Sequence, residues 1–215
     1  MRLKSDFEVE LDEKNLFHEA VQRLIERVGQ DPYVTTHLLG YLALKVGDEK
    51  RIDIARDLEG MRNLVLGESA LEAISALKNE ENLDFVAIRK NLASKKKTAQ
   101  EAIQKKGKEG LDFLSSHNLE PDDFTRKGSG YGGYFVKMAE FPNKAPNRNT
   151  YIDKALEGDL VAKSAPASLQ DTINSLSGQL IGMLEEAIQV FDENNREYIL
   201  SNALMWQVDL IAVLE

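Results

Sequence analysis

Apolar residues recur at helical spacing over most of this chain. Leu16, Phe17, Ala20, Val21, Leu24, Ile25 and Val28 form a stripe that predicts a helix capped by Asp12 and stopped at Gly29. Asp31 and Pro32 supply the cap and first residue of a second helix. From Val34 to Val46 that helix is apolar on nearly every side, with Lys45 its only charge, so burial is expected. Ile54, Leu58, Met61 and Val65 mark a third helix between a cap at Asp48 and a stop near Gly67, and Leu71, Ile74 and Leu77 a short fourth. Short connections at Gly29, Gly47 and Gly67 favour antiparallel neighbours. Helix pairs of this length also build solenoids of stacked helical hairpins. With at most two helix pairs and no shared residue pattern between them, a plain bundle is the better reading.

Two stretches read as strands instead. Phe7, Val9 and Leu11 alternate with acidic residues, as in an edge strand, and residues 133–141 read as a second strand after the glycine-rich turn Gly128 to Gly133. Between them the stripe Phe85, Ile88 and Leu92 meets Lys95, Lys96 and Lys97, which predicts a break at residues 93–97. A fresh helix then starts at Thr98, boxed by Glu101 and stopped by Gly107, and a further short helix covers residues 109–117. Pro142 to Asn149 reads as loop, and residues 151–165 are ambiguous between helix and strand. Helical periodicity returns at Leu169, Ile173, Leu176, Leu180, Leu184, Ile188 and Phe191. A last helix from Arg196 to Leu214 is apolar almost all round. The expected architecture is a mainly α-helical bundle with a small antiparallel β element from residues 5–11 and 133–141. Its expected organisation is residues 1–93 as strand plus bundle, 94–165 as basic hinge and glycine-rich hairpin, and 166–215 as a helical hairpin.

Composition narrows the chemistry. The 215 residues include no Cys and three His, which excludes disulfides, thiolate catalysis and cysteine-held zinc or iron–sulfur centres, so no cofactor is expected. No apolar run reaches the roughly 18 residues of a spanning helix and no secretory leader is evident at the amino terminus, so a cytoplasmic location without membrane attachment is expected. The net charge of −9 is unevenly spread: −7 over residues 1–88, +6 over 89–148 and −8 over 149–215. A basic middle in an acidic chain points either to an anionic partner or to pairing with the chain's own acidic ends.

Catalytic motifs are missing. Gly128-Ser-Gly-Tyr-Gly-Gly133 matches GxGxxG, but a polar turn leads in and a strand is expected after it, the reverse of a dinucleotide site. No P-loop and no GxSxG occurs. Asp53 and Asp57 stand one helical turn apart among Arg51, Arg56 and Arg62, which reads as a salt-bridged surface. His18 lacks metal-ligand spacing, His37 sits in an apolar helix as a satisfied core residue, and His117 ends a helix. The reading is therefore a non-catalytic interaction or assembly subunit, with a protein partner or a second copy held at Tyr198, Leu204, Trp206, Leu210 and Ile211 of the apolar last helix. The alternative is nucleic-acid binding. There Lys95, Lys96, Lys97, Lys105, Lys106, Lys108, Arg126, Lys127 and Lys137 would meet phosphates while Tyr131 and Tyr134 stack on bases. A carboxylate-based enzyme whose site is dispersed in sequence is the third reading.

Overall fold

The computed structural model describes residues 12–47, 51–67, 70, 72, 73, 76 and 83–213. Among them the secondary structure is helical throughout, with no strand. The chain divides into two units, Met1–Lys90 with Leu204–Glu215, and Asn91–Ala203.

In the first unit, α1 (Glu13–Glu26) begins where expected: Asp12 accepts from the Asn15 amide at 3.1 Å, and Gly29 adopts a positive φ of 86° in the turn that follows. Asp31 accepts from the amides of Tyr33 and Val34 at 2.9 and 3.1 Å, and Pro32 opens α2 (Pro32–Gly47). The third predicted helix is two pieces, α3 (Ile54–Gly60) and α4 (Arg62–Val65), and its observed cap is Asp53, which accepts from Arg56. Asp48 lies outside the described residues, as do Leu71, Ile74 and Leu77 of the predicted fourth helix and the strand at residues 5–11. Val21, Val34, Leu38, Tyr41, Leu58 and Met61 bury together with Leu210 and Val213 from the last helix.

The second unit departs further from the periodicity. A single helix, α5 (Phe85–Ser116), runs through the expected break at residues 93–97 and through Gly107. Its inward positions in this unit are Ala99, Ile103, Gly107, Gly110 and Leu114, spaced as one continuous stripe. Three of these five are Ala or Gly, so a count of large apolar residues cannot register the stripe. Lys96 does not break it: the residue is half-buried and its ammonium sits 5.7 Å from the centroid of the Tyr198 ring.

The strand expected at residues 133–141 is absent, and most of that segment lies in α6 (Tyr131–Ala139). Tyr131, Gly132, Gly133, Tyr134, Phe135 and Met138 are buried on it, so nearly the whole cylinder is covered and packing overrides the strand preference of Tyr, Phe and Val. The glycine-rich segment is a close-packed entry to this helix. A Cβ on Gly132 would stand 2.2 Å from the Pro121 carbonyl oxygen, and one on Gly133 would stand 2.3 Å from the Gly128 carbonyl carbon. On the facing helix, a Cβ on Gly107 would meet the Ala139 backbone nitrogen at 2.3 Å and one on Gly110 the Phe135 ring at 2.0 Å. The absent side chains let α5 and α6 approach this closely.

Helices α7 (Thr150–Leu156) and α8 (Ala167–Ser175) follow, and α9 runs unbroken from Ser177 to Val213, without the interruption expected between residues 191 and 196. Ile103, Phe135, Met138, Ile152, Ile173, Leu180 and Leu184 form the centre of this unit's core. Overpacking at the α5–α6 contact is the sharpest test of this arrangement. Gly107→Ala should lower stability by about 1–3 kcal/mol. Gly182→Ala, where nothing lies within 4 Å of the new methyl group, should raise it by about 0.5–1 kcal/mol through helix propensity. Thermal unfolding of the two variants should therefore shift in opposite directions.

Candidate functional site

The basic middle of the chain lies chiefly on α5, and much of its charge meets carboxylates of the same molecule. Lys95 Nζ stands 3.3 Å from Glu197 Oε1, and Lys106 Nζ donates to Glu186 Oε2 at 2.6 Å. Lys95 to Lys106 is eleven residues, and so is Glu186 to Glu197, taken in the opposite direction. In this unit α5 and α9 are therefore antiparallel with matched rise, which brings part of the basic middle against the acidic carboxy-terminal third. Lys97 pairs with Glu101, Lys105 with Glu109, and Lys127 with Asp122. Lys106 holds the Glu186 carboxyl below the usual carboxylate range, by hydrogen bonding first and by charge second. A depressed carboxylate adds stability that is complete above its unfolded titration range and is lost as pH falls through its folded one.

The remaining basic and aromatic candidates are scattered. Lys108 is exposed on α5 and Lys137 half-buried on α6. Arg126 lies 4.9 Å from the centroid of the Tyr151 ring. Tyr131 and Tyr134 are core residues, 1% and 3% exposed, with their rings against Phe124, Phe135 and Phe191. The faces offered for base stacking in the sequence reading are inside the unit, and burial pushes both phenols above the ordinary tyrosine range.

The candidate interface on the last helix is likewise redistributed. Leu210 is buried in the first unit's core, with Trp206 and Ile211 packed partly buried against it, and the Trp206 ring meets Tyr41 edge to face at 6.1 Å. Tyr198 is half-buried against Phe141 in the second unit. Leu204 is 49% exposed.

The same end of α9 holds a buried polar group that helical periodicity shows only as an interruption. Asp209 is 0% exposed, and Arg89 Nη1 donates to both of its carboxylate oxygens at 2.7 and 2.6 Å. His37 Nδ1 lies 2.9 Å from Asp209 Oδ1, with the imidazole edge-on between Tyr33 and Phe85. Gly40 makes room for the guanidinium, since a Cβ there would sit 1.7 Å from Arg89 Nη1. His37 is thus a satisfied core histidine. His37 and Asp209 are buried and each polar contact of the carboxylate is met within the cluster, so it reads as structural.

A different surface emerges from α2. Val34, Leu38, Tyr41 and Lys45 face inward, Lys45 reaching the Asp57 carboxylate and the Arg51 carbonyl. The opposite face, Leu39, Ala43 and Val46, repeats at helical spacing and is exposed, Leu39 by 53% and Val46 by 62%. Periodicity predicted burial on all sides of α2, and the described residues leave one side open.

Among the described residues no three or more His, Asp or Glu are grouped as metal ligands, and no helix is long and apolar enough to cross a membrane. No protein-family model matches this chain, no curated protein is significantly similar to it, and no solved structure matches its fold.

The Asp209 cluster carries its own test. Arg89→Met should cost about 3–5 kcal/mol, because it strands a buried carboxylate, whereas Arg89→Met combined with Asp209→Leu should recover most of that loss. Denaturant titration of the single and double variants measures both values.

Proposed function

We propose that this chain is a non-catalytic interaction subunit that docks a partner, or a second copy, on the outer face of α2. The observation that supports this reading is the exposed stripe of Leu39, Ala43 and Val46 on a helix otherwise built for burial. A helix apolar all round is stable in water only when most of its circumference is covered, and each aliphatic side chain removed from water contributes about 1.5–3 kcal/mol. Charge is nearly absent from this face, as in the centre of a protein interface.

Light scattering tests the idea directly. The wild type is expected to run above 24.1 kDa, alone or with a captured partner, and Leu39→Glu with Val46→Glu to abolish that association while leaving helicity and unfolding temperature unchanged. A wild type that stays monomeric, with no partner whose capture the double variant abolishes, would overturn the reading. So would a double variant that unfolds, since that outcome places this face inside the chain's own fold.

A further inference from the structure

Cations without a carboxylate partner gather in a segment whose own charge sum is negative, −7 over residues 1–88. Helices α1, α3 and the start of α4 in the first unit line a cleft of about 520 Å³ with Lys14, Phe17, His18, Arg56, Glu59, Gly60 and Arg62. The volume lies within the range of small-molecule sites. Among the described residues, Lys14, Arg56 and Arg62 make no ion pair, unlike most of the lysines on α5. The cleft's one carboxylate is already engaged: Glu59 Oε1 lies 2.5 Å from His18 Nδ1. That contact fixes the imidazole and leaves Nε2 as its free ring nitrogen. The adjoining groove adds Asp12 and Glu13 beside Lys14 and Arg62, and Asp12 is occupied in capping α1.

The geometry points to this cleft as a binding site for a small phosphate monoester. Two guanidinium groups and an ammonium line one cleft and supply it with positive charge and donors, Arg able to hold phosphate oxygens bidentately and Lys as a point charge. His18 adds a ring nitrogen whose orientation Glu59 sets, as a carboxylate does for the imidazole in other polar sites. Phe17 offers an apolar wall for the part of the ligand that carries the phosphate. The placement is independent of the α2 surface, so either assignment stands without the other.

A titration of the whole, isotopically labelled chain with inorganic phosphate tests it, followed by amide chemical shifts. The expected result is saturable movement confined to residues around the cleft, among them Lys14, His18 and Gly60, with weaker movement from acetate. Arg56→Gln with Arg62→Gln should weaken phosphate binding by about tenfold or more, the loss expected for charge-assisted hydrogen bonds, while Lys95→Gln with Lys97→Gln should leave it unchanged. Shifts that do not saturate, that spread equally to Lys95, Lys96 and Lys97, or that persist in the Arg56→Gln/Arg62→Gln variant would overturn the site. So would saturation by a single-stranded oligonucleotide with none by phosphate.

Discussion

One buried carboxylate disciplines the first unit. Asp209 interrupts the apolar end of α9, and, buried as it is, its carboxyl group is tolerable only while Arg89 and His37 remain against it. A rotation of α9 about its own axis would still present apolar side chains to the core, since Met205, Trp206, Val208, Leu210, Ile211 and Ala212 surround the cylinder, but it would strand the carboxylate. The polar cluster therefore selects one rotational setting among several that burial alone would accept. Gly40 belongs to the same constraint, because α2 must lack a side chain at the point where the guanidinium lies. Three helices that periodicity treats as independent are tied together by one buried carboxyl group.

In the second unit the corresponding constraint is steric. Gly107 and Gly110 bring α5 against α6, and Gly132 and Gly133 bring α6 against the turns that precede it. This explains where sequence reading succeeded and where it failed. Helix starts at Asp12 and at Asp31-Pro32 were legible because a cap is a local arrangement of a few residues. The continuity of α5 was not legible, because its inward residues include Ala99, Gly107 and Gly110, which carry no hydrophobic signal of their own. The helix at Tyr131–Ala139 read as a strand because Tyr, Phe and Val favour strands locally, and only the surrounding core decides otherwise.

The candidate sites were legible to a similar degree. Charge segregation was read correctly as a count and incompletely as chemistry, because pairs such as Lys95 with Glu197 join residues a hundred positions apart. An excess of lysine in one stretch became internal pairing, while the unpaired cations came together in a stretch whose sum is negative. The uncovered face of α2 had a visible precursor in its all-round apolar pattern. What could not be read was which side the fold would leave open, since that depends on where the core lies.

The glycine contacts between α5 and α6 bear on how relatives of this chain could be detected. Large hydrophobic positions can exchange Leu, Ile, Met and Phe among themselves while a core keeps its volume, so they leave a diffuse trace. A position where two backbones nearly touch admits hydrogen and little else. The durable fingerprint of this fold is therefore a set of vacancies, at Gly107, Gly110, Gly132 and Gly133, held at fixed spacing along two helices. A distant relative would be identified by where its side chains are missing.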